Sequence, residues 1–248
     1  MELTTQQAEQ WSAIVLAEYP NEAVAAILED GTIIQLDNIS PSPTEAFKVD
    51  SKQWIKTASN AIALLHSHTY SLNDTGRRYE IDPRTPSAAD MNTQRDMNIP
   101  WGIVATEGTE VSQPVWLGLE ERPPLIGRQF IHGITDCYSI VRDYYKFEYN
   151  IDLMDYPREF DWWCEGRGYI QDLYEKNFAN EGFYEIEREQ LQPGDAILYC
   201  IRSDTSNHAA VYVGNNEVIH HLAGRMSGKE TLDRWRKFET KYLRREKQ

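Results

Sequence analysis

Cysteine is scarce in this chain: Cys137, Cys164 and Cys200 are the whole set, with no CxxC pair. An odd, dispersed trio excludes a disulfide scaffold and an all-cysteine zinc site. No apolar run nears the ~20 residues needed to cross a bilayer, so no membrane insertion is expected. The opening MELTTQQAEQWSAIVLAEYP lacks both a basic stretch and a clean apolar core, and no secretory signal is expected there. Positive charge is in deficit, with 25 basic against 39 acidic side chains and a formal net charge of −14. Broad nucleic-acid binding, a cation-driven term, is therefore excluded as the main task. Internal repeats and low-complexity tracts are missing as well. The 248 residues are 41% hydrophobic and 26% charged. That is a globular composition, long enough for one or two domains.

The pattern along the chain predicts two α+β domains. A helix is expected over Thr5–Tyr19, stopped by Pro20, and strands over Ala23–Leu28 and Thr32–Leu36 around the Asp30-Gly31 turn. A helix over Ser51–Asn60 precedes the apolar run Ala61–Leu65, which delivers His66-Ser67-His68. Residues 69–86 read as a loop, 87–97 as a helix with Ser87 as N-cap, and 99–106 as a strand. Glu120-Glu121-Arg122-Pro123-Pro124 reads as a linker. Beyond it, a helix is expected over Cys137–Phe147, a strand over Ala196–Ile201, and a hairpin from His208 through Gly214-Asn215-Asn216 to His220. The tail from Lys229 carries eight basic and four acidic residues and is expected to be a solvated amphipathic face.

In the first half, His66 and His68 lie at positions i and i+2 of a strand, so both imidazoles can reach one metal ion. A hydrolytic zinc site needs three protein ligands and an open position. Asp90 is the candidate third ligand, Glu22 the candidate general base, and the Ser87 hydroxyl a candidate donor to an oxyanion. The bland alternative is that such histidines are ordinary polar residues at a strand end. Glu22 in Pro20-Asn21-Glu22-Ala23, then His66-Ser67-His68, then Ser87-Ala88-Ala89-Asp90, occur in the order of the JAMM (Mov34/MPN) metalloprotease signature, which residues 1–115 resemble. Asn38, Phe47, Val49 and Asp50 are similar to that family's second strand and loop. The resemblance implies a JAMM/MPN-like α/β metallopeptidase fold with Zn2+ held by His66, His68 and Asp90, and Glu22 as base. Two departures stand out: Thr69 replaces the usual proline, and the spacer to Ser87 is long. A longer loop costs little in closure entropy.

In the second half, Cys137 follows Thr135-Asp136 at the first turn of a helix, where the dipole favours a thiolate and lowers its pKa. His208 and His220, across a hairpin, can supply the base and its orienter. Cys164 and Cys200 read as small buried hydrophobes. His221 points to the face opposite His220, and His132 reads as a surface or substrate-groove residue. Asp136-Cys137, Leu191–Asp195 and His208-Ala209-Ala210-Val211-Tyr212-Val213-Gly214 with Val218-Ile219-His220 resemble the NlpC/P60 cysteine peptidases over residues 125–245. That implies a papain-like fold with Cys137, His208 and His220 as the catalytic set.

A JAMM/MPN-like domain over 1–118, a linker over 119–125 and an NlpC/P60-like domain over 126–248 resemble the tail tip assembly family of long-tailed bacteriophages. The resemblance implies phage tail tip proteins as partners and peptidoglycan as substrate. It also implies synthesis in the host cytoplasm during assembly, with the virion tail tip as destination. Two other readings stay open: a non-catalytic assembly or docking factor, and a bacterial cell-wall remodelling enzyme.

Overall fold

The structure is a computed structural model, which describes residues 1–70, 81–164 and 172–246. The chain divides into two compact units, Met1–Glu121 and Arg122–Gln248.

The first unit begins with α1 (Thr5–Glu18), started by a capping box in which Thr4 and Gln7 satisfy each other's backbone N–H. Strands β1 (Val24–Leu28), β2 (Ile33–Leu36), β3 (Ala61–Thr69), β4 (Trp101–Thr106) and β5 (Val115–Leu117) form one sheet in the order β2-β1-β3-β4-β5. Only the β3–β4 pair is parallel. Helix α2 (Ser51–Ala58) precedes β3, and α3 (Ala88–Met97) connects β3 to β4. Strand alternation sorts β3 into two faces. Ala63 and Leu65 join Trp11 and Val15 of α1 in a core with Ala25, Ile27 and Val104. Leu64, His66 and His68 face the other way, and there α3 brings Asp90 to the histidines. Of the expected 69–86 loop, residues 71–80 lie outside the described residues.

The second unit holds α4 (Cys137–Tyr149), the short α5 (Leu173–Asn177) and strands β6 (Phe183–Ile186), β7 (Ala196–Tyr199), β8 (His208–Gly214), β9 (Glu217–His220), β10 (Gly228–Thr231) and β11 (Glu239–Arg245). The strands make an antiparallel sheet in the order β10-β9-β8-β7-β11-β6. Val141, Tyr144 and Tyr145 of α4 cover one face over Leu198, Ala209, Val211 and Leu243. The other face, with Ile197, Tyr199, Ala210 and Val218, is covered by the 3-10 segment Leu232–Phe238.

The tail is a solvated face only in part: Lys229 and Arg234 are exposed, while its last segment is built into the sheet. Strand β11 sits inside the sheet, bonded to β7 on one side and β6 on the other. Its charges are matched rather than solvated: Arg244 forks onto Asp195 at 3.0 and 2.7 Å, and Lys241 reaches Glu185 at 2.9 Å. Leu243 is its buried residue. Cross-strand charge pairing lets a sequence rich in Lys and Arg take an interior position. The proline segment is also more than a spacer from Arg122 onward. Arg122 pairs with Asp143 and Asp152, and Arg128 donates to the carbonyls of Pro123 and Pro124.

Candidate active sites

Strand β3 positions the first constellation. Its pairing with β1 sets Val24 opposite His66. Ser67, between the two histidines, turns to the opposite face and takes the Ala23 N–H at 2.8 Å, while its own N–H returns to the Ala23 carbonyl at 3.0 Å. This two-way tie holds Ala23, the residue after Glu22, to the strand that carries the two histidines. Sequence reasoning missed Ser67 because its partner is 44 positions distant.

His66 Nε2 and His68 Nε2 approach to 3.1 Å, and the Asp90 carboxylate lies 3.8 Å from the first and 3.7 Å from the second. Tetrahedral zinc with ligands near 2 Å separates its donors by about 3.3 Å, so these three fit one ion. His68 donates from Nδ1 to the Pro83 carbonyl at 2.8 Å, which leaves its Nε2 lone pair facing the other donors. His66 is fully buried, against the rings of Phe47 and Trp101. Burial pushes its pKa down to about 3, so it stays an unprotonated donor. Asp90 is half-buried; loss of solvent would raise its carboxyl, but the His66 and His68 rings and the Ser87 N–H hold it well below the usual range. Glu22 is buried, which raises its carboxyl to about 7 against the opposing pull of His68. Ser87 caps α3, and its hydroxyl donates to Asp90 Oδ2 at 2.8 Å. With that proton committed to the carboxylate, Ser87 orients Asp90, and an oxyanion role would require the bond to be exchanged.

The second constellation sits at the amino end of α4. Asp136 is its N-cap, accepting from the Ser139 and Gly133 N–H groups, and Cys137 follows directly. Arg158 forks onto Asp136 at 2.8 and 3.1 Å, with both side chains buried. His208 Nε2 and His220 Nδ1 are 3.0 Å apart. The register pairs His220 with Ala210, so the two imidazoles meet diagonally on one sheet face, with Tyr199 and Trp235 against them.

The Ala209 N–H, next to His208 on β8, acts on Cys137 in the direction that favours a thiolate. The side-chain partner of Sγ is the Tyr174 hydroxyl at 3.3 Å. Among the described residues no hydrogen bond joins Sγ to His208. Tyr174 gave no signal in the sequence, since the contact spans 37 positions and arises from the way α5 returns over α4.

The expectation of a lowered Cys137 pKa is reversed. Loss of solvent and the adjacent Asp136 carboxylate push the thiol up to about 11, outweighing the Tyr174 hydrogen bond, the Ala209 N–H and Arg158. Burial and the neighbouring imidazoles hold His208 well below its ordinary value, and burial takes His220 to about 4. The resting site is therefore a neutral thiol beside a neutral histidine pair.

His132 is another correction. It is buried rather than at the surface, its Nε2 near the Glu159 carbonyl and its Nδ1 3.7 Å from Asp136. The buried Asp136 carboxylate, four residues on in the turn before α4, faces the ring there. Cys200 lies just past β7, half-buried, with its thiol on the Ser203 carbonyl. Cys164 is half-buried too, and neither forms a disulfide.

Residues 122–244 match the model of the NlpC/P60 family. Over 177 residues the chain is 35% identical to tail tip assembly protein K of Escherichia phage lambda, spanning 71% of this chain and 77% of that protein. It belongs to the family of lambda-type tail tip assembly protein K. The family member from Escherichia phage N15 is 27% identical over 222 residues, which is 85% of this chain and 82% of that one. Among solved structures, the NlpC/p60 domain of the peptidoglycan hydrolase SagA aligns with 48% of this chain and 89% of its own length, at 16% identity and a TM-score of 0.33. By the family match over residues 122–244, the second unit is an NlpC/P60 domain of the papain-like, α+β, cysteine peptidase type. No described helix is long and apolar enough to cross a membrane.

Proposed function

We propose that this protein is a tail tip assembly protein whose second unit is a peptidoglycan endopeptidase. The supporting observation is the His208–His220 pair, 3.0 Å apart on the sheet against which α4, the helix that begins at Cys137, packs. His208 uses Nε2 toward His220, which leaves Nδ1 to take the thiol proton. Sγ then attacks a stem-peptide carbonyl, His208 returns the proton to the leaving amine, and water hydrolyses the thioester. The N–H groups of the first turn of α4 are the candidate oxyanion donors. Synthesis in the host cytoplasm, contact with other tail tip proteins and delivery at the virion tail tip are part of the same proposal, which the family membership supports.

The first unit is proposed as a JAMM/MPN-like zinc peptidase domain over residues 1–118, joined by 119–125 to the peptidase domain at 126–248. His66, His68 and Asp90 would hold the metal, which when bound would polarise a carbonyl and acidify water. Glu22, half-protonated near neutrality, would exchange a proton at its carboxylate, and Ser87 would keep Asp90 aimed.

Mass spectrometry of purified muropeptides after digestion tests the first claim. New stem-peptide fragments that vanish after iodoacetamide treatment, and persist in EDTA, are the expected result. Fragments lost in EDTA alone would move the activity to the first unit. No fragments under any condition would favour the docking reading, for which the occupation of Sγ by Tyr174 rather than His208 speaks. For the metal claim, one equivalent of Zn2+ is expected by calorimetry and elemental analysis. Combined His66→Ala and His68→Ala should lower that affinity at least about 100-fold, since two of three protein ligands are lost.

A further inference from the structure

A Cys–His–His arrangement differs from one ending in a carboxylate, because its third member is neutral at rest. When His208 takes the thiol proton, the positive charge needs an anion to hold it. Strand β10 supplies one. Its register sets Gly228 opposite His220 and Glu230 opposite Val218, which places Glu230 and His220 on one sheet face. Glu230 Oε1 lies 3.9 Å from His220 Nε2, the nitrogen that His208 does not use. The carboxylate is anchored from behind, since Trp235 Nε1 donates to Oε2 at 2.9 Å while its ring stands edge-on to His220 at 4.9 Å. Arg225 and Arg234 reach the same carboxylate at 3.5 and 3.6 Å from exposed positions. Trp235 thus fixes both the orienting histidine and its anion.

We propose that Glu230 is the positioning residue of this site, the anionic end of a Cys137–His208–His220–Glu230 relay. It favours the His220 tautomer with hydrogen on Nε2, so that Nδ1 accepts from His208 Nε2–H, and its charge stabilises the imidazolium formed during turnover. The inference rests on the cysteine peptidase reading of the second unit. The other charged or titratable groups that act on the pair are His221, Arg225 and Arg234 around His220, and His221 and Asp136 around His208.

The test is NMR of the full chain with 15N-labelled histidine, His220 being assigned by His220→Gln. In the wild type the His220 ring should show hydrogen on Nε2. In Glu230→Gln the Nδ1–H form should appear, and the His220 titration should fall by about one pH unit, the sign expected when an opposite charge is removed. Glu230→Asp, which keeps the charge, should hold the titration near the wild-type value and serves if the amide variant folds poorly. With muropeptide substrate, Glu230→Gln should lower kcat roughly tenfold or more with little change in KM. A His220 tautomer and titration unmoved by Glu230→Gln would overturn the relay, whatever the wild type cleaves. A wild type that cleaves no muropeptide, with the tautomer and titration shifts present, would leave the relay standing and remove the murein reading.

Discussion

Cys137→Ala is expected to lower kcat/KM for muropeptide cleavage by at least about 10³-fold while leaving the melting temperature close to that of the wild type. The size follows from the role, because a residue that forms the covalent intermediate cannot be replaced by the binding groups that remain. Stability should hold because the half-buried thiol gives up only one hydrogen-bonding side-chain partner, the Tyr174 hydroxyl. The same site predicts an unusual pH dependence. With the thiol at about 11, thiolate is a minor species at neutral pH, and alkylation of Cys137 by iodoacetamide should climb about tenfold per pH unit between 7 and 10. A preformed thiolate–imidazolium pair would give a flat profile over that range. Peptide mapping of the alkylated chain separates Cys137 from Cys164 and Cys200. A flat profile would mean that the Sγ–Tyr174 contact is exchanged in solution for one with His208.

Local signals carried much of the fold. The Pro20 stop, the Ser87 cap and the Gly214-Asn215-Asn216 turn all act within a few residues, and α1, α3 and the β8–β9 hairpin fall where those signals put them. The periodicity of two along β3 is likewise a local rule, and it brings His66 and His68 to one face with Asp90. What could not be read were partners across long sequence separations. Leu243 is buried and Arg244 paired only because β7 and β6 flank them, so the last segment of a basic tail that looks solvated in sequence becomes an interior strand. The Cys137 pKa failed for a related reason. The helix dipole was visible in the sequence, but the loss of solvent around Sγ and the orientation of the Asp136 carboxylate were not. Glu230 was obscured in the same way: amid the alternating charges of the tail, nothing local distinguishes it from a solvated glutamate.

Arg158→Met carries the largest expected effect on stability. The guanidinium is buried, forks onto Asp136, donates to Asp155 at 2.9 Å and to the Tyr156 carbonyl at 2.7 Å, and lies over the Tyr138 ring. Removing it leaves the Asp136 charge buried without its cation, a change that costs about 3–5 kcal/mol. Burial alone would raise the Asp136 pKa, yet Arg158, His132 and the Ser139 N–H hold it well below the usual carboxylate range in the wild type. A depressed folded pKa contributes stability that is fully present above the unfolded value of about 3.9 and is lost as pH falls below it. The gap in melting temperature between wild type and Arg158→Met should therefore be widest near neutral pH and should narrow as acid neutralises Asp136. Adding Asp136→Asn to Arg158→Met should recover part of the loss, because the second change removes the orphaned charge while keeping a cap for α4. A double variant no more stable than Arg158→Met would show that the arginine acts through Asp155 and the Tyr138 ring instead. The network also bears on the nucleophile. An Asp136 carboxylate without its guanidinium raises the neighbouring thiol further, so Cys137 in Arg158→Met should alkylate more slowly than in the wild type at pH 8, in protein that is still folded. Stability and reactivity are thus coupled through one carboxylate, which caps the helix and faces the thiol at its first residue.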